Sequence, residues 1–228
     1  MNMPFYVAPE QVMKDRADYA RKGIARGRSL VAFRYTDGIC ICAENTSNTL
    51  HKVSEIYDRI AFAGVGKYNE FDQLRIAGIR HADLKGYAFS REDVDARSLA
   101  NQYAQILGQI FTHEMKPMEV EILVAEIGDD PSGDHDQLFH ILYDGTVVDE
   151  DRLVVLGGET ESIRERCAPL AEGPVPDLEA GLRVAVAALA GPDRTLRPDD
   201  LEVAVLARGN GRRAFRRIEG EELTRLLG

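Results

Sequence analysis

Residues 9–44 read PEQVMKDRADYARKGIARGRSLVAFRYTDGICICAE and pass from a helical pattern into two strands with almost no linker. Met13, Ala17, Ala20 and Ile24 recur at +4, +3 and +4, an apolar stripe of helical period. Pro9 suits a first helical position, Glu10 suits the positive end, and Arg26 and Gly27 suit a helix end. The spacing predicts a helix over residues 9–27. Residues 30–35 and 39–44 then read as strands around Thr36-Asp37-Gly38, a hairpin turn signal.

The helix carries an unusual charge. Residues 14–28 hold six basic and two acidic side chains, against a net charge of −10 for the whole chain. A solvated face and a docking face for an acidic neighbour both account for it. The overall acidity argues against wholesale nucleic-acid binding. No apolar run approaches the roughly 20 residues that cross a bilayer, and residues 1–8 lack the basic start of a secretory signal. Three cysteines, Cys40, Cys42 and Cys167, make no disulfide framework and fit a reducing cytoplasm.

Outward from the hairpin, residues 50–54 and 56–65 read as two more strands. Helical patterns follow over 67–87 and 97–113. Strands return at 120–126, 137–143, 146–148 and 152–156, then helices at 160–168 and 177–190, a strand pair at 201–206 and 213–218, and a terminal helix at 219–227. Strands mostly meet through short turns, so they are expected to pair antiparallel. Helices come in pairs, which suggests outer layers on two sheets rather than a doubly wound parallel sheet. With 228 residues and 44% hydrophobic composition, one domain with one sizeable core is the simplest organisation.

Most candidate chemistry fails on spacing. Gly64-Val65-Gly66-Lys67 lies between a strand and a helix, but the four-residue spacer and following Ser/Thr of a phosphate loop are absent. Cys40 and Cys42 share one face of a strand without partner ligands, so they read as buried small hydrophobes. His51, His81, His113, His135 and His140 are scattered, and Asp129, Asp130, Asp134 and Asp136 do not match a calcium loop. No metal or cofactor is expected. Lys52, expected on a strand, stays open between a structural partner of a carboxylate such as Glu44 and a receptor for an incoming anion.

The chain resembles the α-type subunits of the proteasome core particle, most closely those of the actinobacterial branch. The resemblance is carried by Tyr19-Ala20-Arg21-Lys22-Gly23-Ile24-Ala25-Arg26-Gly27, by Leu30-Val31-Ala32-Phe33 and by Ala43-Glu44-Asn45. It continues in Lys52-Val53-Ser54-Glu55-Ile56-Tyr57-Asp58-Arg59, in Gly66-Lys67-Tyr68-Asn69-Glu70-Phe71-Asp72 and in Leu201-Glu202-Val203-Ala204-Val205-Leu206. It implies the four-layer α/β/β/α sandwich of N-terminal-nucleophile hydrolases. In the catalytic β-type branch, a threonine freed at the N-terminus attacks peptide bonds. Alignment on the 30–33 strand puts Arg28 where that threonine would stand, with Glu44 and Lys52 matching its acid and lysine. The resemblance therefore implies a vestigial site without a nucleophile, and no catalysis by this chain.

It implies instead a heptameric outer ring that caps rings of β-type subunits and passes unfolded protein substrates to them. Residues 1–8, with Phe5 and Tyr6, would form a flexible gate at the pore, and Pro9 would fix the turn into the helix. Residues 9–228 would be the single α-type domain, with the 9–27 helix on the ring surface. Lys52 would lie in a pocket between subunits and receive the C-terminal carboxylate of a ring-shaped AAA ATPase or an ATP-independent activator. Gly27 and Gly66 match the pocket glycines, and Lys67 stands where archaeal relatives carry an apolar residue. Two alternatives are a free-standing amidase of the same fold and a self-assembling ring without a proteolytic partner.

Overall fold

A computed structural model describes residues 8–130 and 132–228. Helix α1 (Pro9–Ile24) leads into the hairpin β1 (Leu30–Tyr35) and β2 (Gly38–Glu44), then β3 (Val53–Tyr57) and β4 (Ile60–Gly66). Helices α2 (Tyr68–Ala88) and α3 (Ala96–His113) precede β5 (Val120–Glu126), β6 (Gln137–Ile141), β7 (Val147–Glu150) and β8 (Leu153–Leu156). Helices α4 (Thr160–Arg166), α5 (Ala168–Glu172) and α6 (Leu178–Ala190) follow, then β9 (Leu201–Ala207), β10 (Phe215–Ile218) and α7 (Gly220–Leu227).

The strands form two five-stranded sheets, ordered β10-β9-β2-β1-β8 and β3-β4-β5-β6-β7, with every described pairing antiparallel. The two-residue alternation of a strand assigns the layers. Leu30, Ala32, Ile39, Ile41, Ala61, Ala63 and Leu123 face a core between the sheets. Val31, Phe33, Cys40 and Cys42 face the layer of α4–α7, whereas Ile60, Phe62 and Ile122 face α2 and α3. This is the expected α/β/β/α sandwich. Phe33 and Phe62 are fully buried at its two outer interfaces, where truncation of either to alanine costs about 3–5 kcal/mol. All three cysteines are buried where the β10-β9-β2-β1-β8 sheet meets the α4–α7 layer.

Helix α1 lies outside the four layers and closes one end of the sandwich. Its Ala20 and Ile24 enter the core between the sheets, and Arg16 donates to the carbonyl of Phe111 at the end of α3. Met13, the first member of the expected apolar stripe, remains exposed. The helix also stops at Ile24, three residues before the expected end. The amides of Arg26 and Gly27 turn back onto the carbonyls of Gly23 and Ile24, a tighter winding that leads the chain into β1.

Other boundaries differ, among them the ends of β6 and β10, which stop at Ile141 and start at Phe215. The β3–β4 turn falls at Asp58-Arg59, not at Glu55, and the pairing of the two strands shifts register between Glu55 and Tyr57. Leu50 is exposed and lies outside β3, and Lys52 stands one residue before that strand rather than on it. The expected 160–168 helix is two helices, because Pro169 lacks an amide hydrogen and starts a new helix after Cys167.

Candidate functional site

The end of α1 meets the end of β4 through two glycines. A Cβ on Gly27 would stand 2.9 Å from the amide nitrogen of Gly66, so the two backbones approach as only glycine permits. Gly66 has φ +112, and a Cβ there would strike the carbonyl oxygen of Glu119. That carbonyl accepts from the amide of Lys67 at 2.9 Å, the residue preceding α2. Gly27, Gly66 and Lys67 thus form one continuous backbone seam.

Lys52, the residue before β3, joins the seam. Its carbonyl accepts from the amide of Gly64 at 3.0 Å, and its Nζ donates to the carbonyl of Arg28 at 2.5 Å. The ammonium therefore rests on a neutral oxygen. Burial pushes its pKa down to about 8, with Glu202 and then Glu44 opposing the fall and Arg28 adding to it. The group is still mainly charged at neutral pH.

Glu44 does not serve Lys52 as an ion-pair partner. It is buried on β2, accepts from Nη1 of Arg28, and accepts a fork from Arg194 at 2.9 and 3.2 Å. The pairing holds the Arg194 guanidinium above its ordinary pKa, first through the hydrogen bond to Glu44. Arg28, Glu44 and Lys52 are thus brought together, with an arginine side chain against the acid. Arg28 lies in the turn between α1 and β1, and its guanidinium carries no nucleophilic hydroxyl.

Lys67 differs from Lys52. Its half-exposed ammonium lies 3.6 Å from Glu70, which also accepts from Lys116 and from the amide of Glu119, each at 2.7 Å. An exposed pair of this kind contributes about 0–1 kcal/mol. Pro9 stands at the first position of α1, after Ala8 in extended conformation. Phe5 and Tyr6 lie outside the described residues.

Glu202 is the residue that sequence reading missed as a site member. It accepts from the amides of Lys52 and Val53 at 2.7 and 3.1 Å, from Asn45 at 2.8 Å and from Arg217 at 2.7 Å. The available signal was a lone acid inside the apolar run Leu201-Glu202-Val203-Ala204-Val205-Leu206, where an unpaired charge is costly and so demands partners. The aspartates of the 128–136 loop do other work. Asp136 is buried against Arg208 and accepts from the amide of Gly128, and Asp130 accepts from Ser132 and from the amides of Asp134 and His135.

Comparison with known proteins agrees with this architecture. The family model described as proteasome subunit matches residues 24–206. The chain is 64% identical over 228 residues to the proteasome subunit alpha of Acidimicrobium ferrooxidans, covering all of this chain and 97% of the relative. It is 55% identical over 232 residues to that of Thermobifida fusca, covering all of this chain and 91% of the relative. It is 56% identical over 235 residues to that of Acidothermus cellulolyticus, covering all of this chain and 98% of the relative. A family match across most of the chain, likeness from end to end and a four-layer sandwich with α1 across its end lead to one conclusion: this chain belongs to the proteasome subunit family.

Proposed function

We propose that this chain is a non-catalytic α-type subunit of a proteasome core particle. The observation that carries the reading is the end-to-end likeness to relatives each named proteasome subunit alpha. The absence of catalysis is supported by Arg28, which the resemblance puts in the place of the catalytic branch's threonine and whose side chain donates to Glu44.

In this reading residues 9–228 act as one domain, and seven copies form an outer ring over β-type subunits in the cytoplasm. Residues 1–8, including Phe5 and Tyr6, gate the pore, with Pro9 fixing the turn into α1. Helix α1 offers its basic, partly apolar outer face, including Val12, Met13 and Tyr19, to a ring neighbour. Unfolded substrates pass through the open gate.

Lys52 receives the C-terminal carboxylate of an ATPase or ATP-independent activator. Its ammonium, on a half-buried side chain, rests on a carbonyl oxygen, and an incoming carboxylate would give it the counter-charge it lacks. Gly27 and Gly66 let an extended tail approach the backbone, and Lys67 adds a nearby cation. Individual contacts of this kind are modest, but repetition around a ring multiplies them through avidity.

Co-expression with the β-type subunit of the same organism, followed by sizing and mass measurement, tests the reading. A particle containing both chains and hydrolysing peptides is expected. A chain that never co-purifies with the β-type subunit would overturn it.

A further inference from the structure

Glu202 ties the two sheets together beside Lys52. Its carboxylate comes from β9 of one sheet, and its backbone donors, Lys52 and Val53, lie at the start of β3, the edge strand of the other. Arg217 on β10 completes a clamp, since one nitrogen donates to Glu202 at 2.7 Å and another to the carbonyl of Val53 at 2.6 Å. Asn45 donates to the same carboxylate at 2.8 Å, and Nδ1 of His51 lies 3.3 Å away. The carboxylate is only 8% exposed, so these protein donors replace the water it has lost. Lys52 precedes β3, and its amide is held by Glu202 instead of by a neighbouring strand.

We propose that Glu202, clamped by Arg217, is a positioning residue for Lys52, fixing the backbone from which its ammonium reaches an incoming C-terminal carboxylate. The proposal rests on the reading of Lys52 as the carboxylate receptor. Glu202 acts in a second way, through its charge. The titratable and charged groups around Lys52 are Arg28 from the turn after α1, Glu44 from β2, neighbouring His51, and Glu202 from β9 with Arg217 behind it. Glu202 is the strongest of these in holding the proton on Lys52 against burial. Removing its charge therefore both loosens the lysine's backbone and makes it lose its proton at lower pH.

The test uses the assembled core particle with wild-type, Glu202→Gln, Arg217→Gln or Lys52→Ala α subunits. The probe is a synthetic peptide bearing the C-terminal residues of the same organism's ring ATPase, made as free acid and as amide. The preference for acid over amide is measured across pH. Wild type should prefer the acid and lose that preference as pH rises through about 8. Glu202→Gln should cut the preference by about tenfold, the effect of losing one well-placed charged hydrogen bond, and should move the alkaline midpoint to lower pH. A purely structural defect would not move that midpoint. Arg217→Gln should weaken acid binding without lowering the midpoint, and it decides the matter if Glu202→Gln fails to assemble. If Lys52→Ala abolishes the preference while Glu202→Gln, or Arg217→Gln in its place, keeps it unchanged, the positioning role is wrong and the receptor reading survives. If Lys52→Ala itself keeps the preference, both are wrong.

Discussion

The ammonium of Lys52 donates to the backbone carbonyl of Arg28 at 2.5 Å, while the carboxylate of Glu44 is taken by Arg28 and Arg194. Two arginines on one acid leave the lysine with a neutral partner. Its charge is then available to an anion from outside, at no cost in breaking an internal ion pair. Lys52→Ala should therefore spare folding and ring assembly but remove activator-stimulated degradation. A charge-assisted hydrogen bond contributes about 1.5–3 kcal/mol, which corresponds to a loss of roughly tenfold to a hundredfold in affinity at each site. A mutant particle that still responds fully to its ATPase would show that the carboxylate is received elsewhere.

The same environment gives two pH dependences of opposite sign. Lys52 titrates at about 8 in the fold against an ordinary 10.5. Between those values the unfolded chain holds a proton that the folded chain has shed, so this group's contribution makes stability rise with pH across the window. Docking of a carboxylate needs the ammonium, so it should fall through the lower value. Lys52→Met separates the two effects. It removes a partly desolvated charge and should raise stability at pH 7, while abolishing activator docking. Thermal unfolding at pH 7 and pH 10 checks this, and a stabilisation that fails to shrink at the higher pH would contradict it.

The two glycines of the seam should differ in tolerance. Gly66→Ala meets both a positive φ and the carbonyl of Glu119, a backbone atom that cannot swing aside. Backbone strain alone costs about 1–3 kcal/mol, and the clash adds to it. Gly27→Ala also meets a backbone atom, the Gly66 amide nitrogen at 2.9 Å, but with less overlap and with an ordinary φ, so it carries no left-handed strain. Gly66→Ala should therefore lower the unfolding temperature of the isolated chain by several degrees more than Gly27→Ala. Equal effects would mean that the seam is softer than its geometry implies.

The sheets were largely legible because their strands are apolar runs bounded by turn residues. Residues 120–126 and 30–35 match in full, since nothing at their ends competes with the turn signals. The β3–β4 boundary was not legible. Leu50 looks like strand but stays exposed, and the turn at Asp58-Arg59 is fixed by distant partners, with Arg91 on Asp58 and the carbonyl of Ile127 on Arg59. The end of α1 was misjudged for a related reason. Gly27 marks a contact with Gly66 across the fold, not a helix cap. At the site, Lys52, Arg28 and Glu44 were legible as a constellation. The pairing of Glu44 with Arg194 and the clamp of Glu202 on Lys52 join residues 150 positions apart, and single-sequence periodicity carries no signal at that separation.

The gate reading rests on what lies upstream of Pro9, and it can be tested without any activator. Pro9 opens α1, and Ala20 and Ile24 anchor the other end of that helix in the core between the sheets. Removing residues 1–8 therefore takes away no buried side chain of the helix, and ring assembly should survive the truncation. If those residues close the pore, the truncated particle should hydrolyse a small fluorogenic peptide several times faster than wild type with no activator present. Its further stimulation by the ATPase tail peptide should shrink in proportion, because opening an already open pore adds nothing. Lys52→Ala in the truncated background should then leave the fast basal rate untouched, since docking and gating have been uncoupled. A truncated particle with an unchanged basal rate would place the barrier to substrate elsewhere than in residues 1–8.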